Sequence, residues 1–201
     1  MTVYVSRRHL IGSMSAAAGI AALPRSALAL NPASARSMVD KLVADINRVI
    51  DSGKSESAMY REFERIFKAY SDTSYIAAYA LGVDGRRASN AQKRAFTQAF
   101  TGYISRKYGK RFREFIGGKL VVEEVRKIKN FLEIRTTAYL RGESPFDVSF
   151  HVSDRTGREL FFNIYIEGVN MLLTERTEIG SMLDARRGDL DKLIADLKRA
   201  G

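Results

Sequence analysis

Residues 146–153 read Phe146-Asp147-Val148-Ser149-Phe150-His151-Val152-Ser153, and their alternation decides the fold. Phe146, Val148, Phe150 and Val152 fall on one side; Asp147, Ser149, His151 and Ser153 fall on the other. Side chains along a strand point alternately to its two faces, so this period predicts a half-buried strand. Asp154-Arg155-Thr156-Gly157 has the composition of a hairpin turn, and residues 160–169 read as the last strand. Toward the N-terminus, Gly142 to Pro145 predicts another turn. Before it, residues 131–140 place Leu132, Ile134, Thr136, Ala138 and Leu140 on one side. Residues 120–128 alternate loosely, starting with Leu120 and Val122. Consecutive strands joined by short turns give an antiparallel meander of about four to five strands.

The period changes on both sides of this block. Asn31 followed by Pro32 is a helix start, and Met38, Leu42, Val43, Ile46, Val49 and Ile50 follow at helical spacing until Gly53. A second helix begins near Ser55, with Met59, Phe63, Ile66, Phe67 and Tyr70 as its stripe. A third, rich in small residues, runs from Thr73 to Leu81 and stops at Gly82. Ser89 with Gln92 three residues later is a capping box. It opens a long amphipathic helix carrying Phe96, Phe100, Tyr103, Ile104 and Tyr108, which Gly117-Gly118 closes. Two further helices are predicted over about 170–186 and 189–199. The fold class is therefore α+β, with several helices packed on one face of a curved antiparallel sheet.

The first 29 residues carry Arg7, Arg8 and Arg25 but no Asp or Glu. Residues 10–23 are uncharged, too short and too weakly apolar to span a bilayer, and sized for the apolar region of an export signal. Ala27-Leu28-Ala29 supplies the small residues of a cleavage site. Ser6-Arg7-Arg8-His9-Leu10-Ile11 resembles the twin-arginine motif of proteins that fold before export; an ordinary secretory signal with two arginines is the alternative. The reading is a removable signal over 1–29 and one domain over 30–201, placed in the periplasm. The net charge of +10 loses only three arginines with the signal, so the domain stays basic. A basic surface suits nucleic acid, anionic lipid or an acidic protein, and export disfavours nucleic acid. With no cysteine, no disulfide supports the fold.

The chemistry of catalysis is poorly represented. Of two histidines, His9 lies in the signal and His151 on the polar side of its strand, where it reads as solvated. No G-x-S-x-G, H-E-x-x-H or complete glycine-rich phosphate loop is present; Gly117-Gly118-Lys119 is the tail of one, but Arg113 stands where its first glycine belongs. Glu123 and Glu124 are adjacent on a strand, which predicts opposite faces. No catalytic residue, metal ligand or cofactor is assigned. What is abundant is apolar and aromatic surface, with 11 Phe and 9 Tyr. It serves either as ordinary core or as the lining of an apolar cavity between sheet and helices.

Two blocks carry a resemblance to a known family. One is Ala80-Leu81-Gly82, the short loop through 88–92, then Arg94-x-Phe96-x-x-x-Phe100 and Tyr108. The other is Ile164-x-Ile166-Glu167-Gly168-Val169-Asn170, then Arg176 and Leu190-x-x-Leu193-Ile194-x-x-Leu197. From Val39 onward the chain resembles the periplasmic toluene-tolerance family, the soluble phospholipid-binding component of the Mla lipid transport system. Departures occur at 83–87, which lack tryptophan, at Arg158-Glu159 after Gly157, at Asn163 in place of an aspartate, and at Glu175-Arg176 in place of Tyr-Arg.

The resemblance implies a cone-shaped, NTF2-like domain and a carrier rather than an enzyme. Such a carrier takes phospholipid between an inner-membrane ABC transporter and an outer-membrane lipoprotein complex, and so maintains outer-membrane lipid asymmetry, as a monomer. Inward strand parity and the facing helix stripe nominate Phe96, Phe100, Ile134, Val148, Phe150, Ile164, Ile166 and Val169 as lipid-binding, with Leu81 and Leu172 behind them. Arg176 is a candidate for a phosphate contact or a structural ion pair, and Glu167-Gly168 for a structural strand end. The basic side of the long helix (Lys93, Arg94, Arg106, Lys107, Lys110, Arg111) is a docking face or a solvated one. Competing readings are a carrier of hopanoid or other polycyclic lipid, an enzyme on the same scaffold, and an adaptor with a filled core.

Overall fold

The computed structural model describes residues 30–111 and 118–200. Residues 1–29, read from the sequence as an export signal, and Arg113 and Gly117 lie outside the described residues. Helix α1 (Pro32–Ile50) starts where the sequence places it, with the Asn31 side chain accepting from the Ala33 amide at 2.9 Å. Its buried stripe is Ala35, Val39, Leu42, Val43, Ile46, Val49 and Ile50. Helix α2 (Glu56–Tyr70) buries Met59, Phe63 and Ile66, and its Tyr70 hydroxyl donates to Asp45 of α1 at 2.6 Å. Helix α3 (Thr73–Leu81) is capped by Asp72 and ends at Gly82, whose φ of 63° suits glycine. A 3-10 turn over Gly82–Arg86 leads to α4 (Asn90–Arg111). The predicted capping box is formed in both directions, Ser89 N to Gln92 Oε1 at 3.0 Å and Gln92 N to Ser89 Oγ at 3.1 Å.

The sheet is a five-stranded antiparallel meander in the order β1 (Lys119–Ile128), β2 (Phe131–Tyr139), β3 (Phe146–Ser153), β4 (Leu160–Ile166), β5 (Val169–Asn170). Leu132, Ile134, Thr136 and Ala138 of β2 and Val148, Phe150 and Val152 of β3 form its buried face. Helices α5 (Met171–Ala185) and α6 (Leu190–Leu197) complete the chain. Helix α6 lies along α4, held by Gln92 to Asp191 at one end and Arg106 to the Leu197 carbonyl at the other.

Three local expectations need correction. The loose alternation of β1 is a register shift between Val122 and Glu124 that leaves Glu123 unpaired; both glutamates are exposed, so simple alternation does not describe them. The last strand does not run to residue 169. Glu167 and Gly168 have φ of 49° and 78°, a two-residue hairpin turn between Ile166 and Val169. Within β4, a second register shift makes Phe162 the extra residue, so Phe161 pairs with Val152 and Ile164 with Phe150. Finally, His151 is not solvated. Its ring packs between Phe131 at 4.6 Å and Tyr165 at 4.8 Å on the outer face, 3.9 Å from Glu133.

Candidate functional site

Helix α1 crosses β1 and β2 and fills that half of the concave face. Beside it, over β3 and β4, where α3 and α5 reach β4, a cavity of about 560 Å³ remains. It lies within the ~300–1,000 Å³ typical of ligand pockets. Leu42 and Ile46 of α1, Phe63, Ile66 and Phe67 of α2, and Ile76 of α3 form its deep wall. Val148, Phe150, Phe161, Ile164 and Ile166 form its floor, and Ile104 and Tyr108 of α4 with Met171 and Leu172 of α5 form its sides. The exposed lining residues are Glu143, Ser144 and Glu167. All three sit where β2 and β4 end and β3 begins, so the mouth is at that end of the sheet. Ile164 and Ile166 lie on the core face yet are only half-buried. That combination is the signature of an apolar floor beneath accessible space rather than packed core.

The lining expected from strand parity and the helix stripe divides clearly. Val148, Phe150, Ile164, Ile166 and Leu172 come together in the cavity. Ile134 does not, because it is fully buried in β2, which α1 covers. Phe96 and Phe100 stack at 5.7 Å in the N-terminal half of α4, whereas the cavity lies against its C-terminal half. Leu81 and Phe96 instead line a separate basic groove with Lys68, Arg86, Lys93 and Arg94. Val169 is 53% exposed, because the hairpin turn reverses the chain before it. The helix residues of the deep wall were legible as core, but no periodicity distinguishes a core face from a cavity face.

Charge enters the cavity at one point. Glu175 of α5 is 3% exposed and lines the wall one turn from Met171. Its Oε1 accepts from Lys107 Nζ at 2.8 Å and from the Tyr108 hydroxyl, and its buried Oε2 has no partner among the described residues. Lys107 also donates to Glu178, which accepts in addition from Tyr103. Burial alone would lower the Lys107 pKa, but the two carboxylates outweigh it and hold the ammonium above its ordinary value. Burial and the neighbouring Glu175 charge push the Tyr108 hydroxyl up, so it stays a donor. The α4 basic side is therefore not uniform. Lys107 is in this cluster, Arg106 caps α6, and Lys93 and Arg94 are exposed.

Arg176 lies outside the cavity lining. Its guanidinium sits 5.3 Å from the Tyr79 ring centroid, donates to the Tyr79 carbonyl at 3.4 Å, and packs so close to Gly82 that a Cβ there would meet it at 3.0 Å. It closes the end of α3 with no ion pair among the described residues. Asn163 acts similarly, accepting from the Leu172 amide at 3.1 Å and donating to Asn170 at 3.0 Å, which fixes α5 to β4 beside the cavity. Among the described residues there is no cluster able to hold a metal ion and no helix long and apolar enough to cross a membrane.

The architecture matches that of a phospholipid-binding protein from Ralstonia solanacearum solved in complex with a phospholipid. The two chains are 18% identical, with a TM-score of 0.69, over 81% of this chain and 98% of that one. The MlaC protein family model matches residues 36–199, most of the chain and both blocks that carried the resemblance. The chain belongs to the MlaC family.

Proposed function

We propose that this protein is a periplasmic carrier that binds phospholipid by its acyl chains and shuttles it between outer-membrane and inner-membrane complexes of an ABC-type transport system. The observation that supports it most is the apolar cavity, walled by Leu, Ile and Phe and open at one end. Burying an acyl chain of about 16 carbons, at ~0.8 kcal/mol per methylene, returns roughly 13 kcal/mol that the chain forfeits in water. A carrier must supply that burial and leave the headgroup near the mouth. Family membership and the phospholipid-bound structural relative support the same reading. Carriage needs no acid, base or nucleophile, in keeping with a non-catalytic role. The export signal over 1–29 supports the periplasmic setting, and the transporter and lipoprotein complexes are the partners that such a carrier requires.

Organic extraction of gently purified protein followed by mass spectrometry tests the reading. Co-purifying phospholipid near one equivalent is expected. A polycyclic lipid without phosphate in the extract would redirect the ligand to that class. Protein that is lipid-free and takes up nothing from liposomes would sink the carrier reading altogether.

A further inference from the structure

On α1, α2 and α6 surface cations stand beside carboxylates, as in Arg48–Asp45, Arg65–Glu62 and Lys192–Asp189. One part of the helical layer departs from that pattern. Residues 85–113 hold nine Lys and Arg and no Asp or Glu. Arg106 and Lys107 of this stretch are engaged within the protein, on the Leu197 carbonyl and on Glu175 and Glu178. Arg86, Lys93 and Arg94 are exposed and have no ion pair among the described residues. All three line one groove between α3 and α4, together with Lys68 of α2, which pairs with Glu64. No carboxylate is among the described lining, and Leu81 and Phe96 lie buried beneath it. The Thr97 and Thr101 hydroxyls turn back onto carbonyls of their own helix, so donation is left to the cations. Val83, on the same 3-10 turn as Arg86, is 55% exposed.

The fold itself does not call for this concentration of charge. Lys93 and Arg94 follow the first turn of α4, at the positive end of the helix dipole, where stability favours acidic residues. Like charges around one recess repel one another, and an anionic partner relieves the repulsion. A bilayer is broad and nearly flat and meets a recess only at its rim, whereas an extended chain enters it. From Lys93 to Thr101 the α4 wall is ~12 Å long, the span of about four extended residues. We infer that this groove docks an acidic, extended segment of a partner protein. Its carboxylates meet Arg86, Lys93 and Arg94, and an apolar side chain packs on Val83. No residue lines both this groove and the apolar cavity, so a partner held here leaves the mouth open. The docking does not depend on what the cavity carries.

The probe is a fluorescent octapeptide of alternating aspartate and leucine, titrated onto the full protein by anisotropy in about 0.15 M salt. The same peptide with asparagine for aspartate is the control and is expected not to bind. Arg86→Glu, Lys93→Glu and Arg94→Glu combined should weaken binding at least about tenfold. Arg61→Glu, Lys127→Glu and Lys198→Glu combined make the same change in net charge at exposed cations outside the groove, and should weaken it by less than about threefold. None of the six residues lines the cavity, so lipid uptake should be unchanged in both variants. Equal weakening by the two variants reduces the effect to net charge and overturns the docking. No binding of the aspartate peptide, or equal binding of the asparagine peptide, overturns it as well. Sedimentation with phosphatidylglycerol vesicles that only the groove variant loses, with no such difference for the peptide, assigns the groove to a membrane surface instead. Photo-crosslinking of the aspartate peptide to the unmodified protein needs no substitution, so it decides the matter even where the groove variant does not fold. Adducts are expected on the groove lining, and adducts confined to other surfaces overturn the docking.

Discussion

Val148 and Ile134 occupy the same sheet face on neighbouring strands, yet adding carbon to them should have opposite effects. Val148 borders the cavity, whereas Ile134 is fully buried in the half covered by α1. Val148→Phe extends a ring into open space, so stability should change by less than about 1 kcal/mol while bound lipid falls severalfold. Ile134→Phe overfills a close-packed region and should cost about 1–3 kcal/mol. Denaturant melts and lipid quantification on both variants check the contrast. His151 makes a second prediction at this scale. Burial lowers its pKa below the ordinary 6.5, against the opposing pull of Glu133. The unfolded chain therefore binds a proton that the folded chain resists. Stability from this residue is fully present above pH 6.5 and is lost as pH falls below that value toward the lower folded pKa. His151→Phe should flatten the pH dependence of the melting midpoint in that window, read by thermal melts across pH 5 to 8.

The crossing of α2 and α4 depends on a missing side chain. A Cβ on Gly109 would stand 2.7 Å from Tyr60 Cδ1 and 3.3 Å from Phe63 Cδ2. Gly109→Ala should therefore destabilise by about 1–3 kcal/mol, even though alanine is the better helix former by ~1 kcal/mol; a urea midpoint that rises instead would contradict this. The same level shows what could be read from the chain. Capping at Asn31 and Ser89, the boundaries of α3 and the β2–β3 alternation are local effects, written in neighbouring residues. The extra residue at Phe162 was invisible because a bulge is defined by the partner strand, and β4 taken alone still alternates acceptably. Glu167-Gly168 carries a turn signal in its glycine, but a non-glycine residue such as Glu167 at a positive φ is uncommon, so the local sequence favours a strand running on to Val169. Val148, Phe150, Ile164 and Ile166 of the floor follow from parity, whereas Phe161 joins them only through the register shift. The deep wall did not, since whether Leu42 or Phe63 meets a neighbour or a void depends on which part of the sheet α1 covers.

As a sealed void, the cavity would be untenable. At ~24 cal/mol per Å³, a 560 Å³ hole would cost about 13 kcal/mol, comparable to the 5–15 kcal/mol by which whole domains are stable. Space of this size is kept only when something occupies it, and the apolar walls favour lipid over water. A ligand that binds only the folded state adds RT ln(1 + [L]/Kd), about 2.7 kcal/mol at a hundredfold excess over Kd. Protein unfolded in guanidinium, freed of lipid and refolded should thus melt several degrees below the same protein as purified. Phospholipid vesicles should restore the difference. Val148→Phe, with part of the cavity filled by its own side chain, should show a smaller gap between the two preparations. Identical melting of lipid-free and as-purified protein, with lipid demonstrated in the latter, would mean that the cavity is stabilised without its ligand. The sheet and helices would then need a packing arrangement over β3 and β4 other than the open one described.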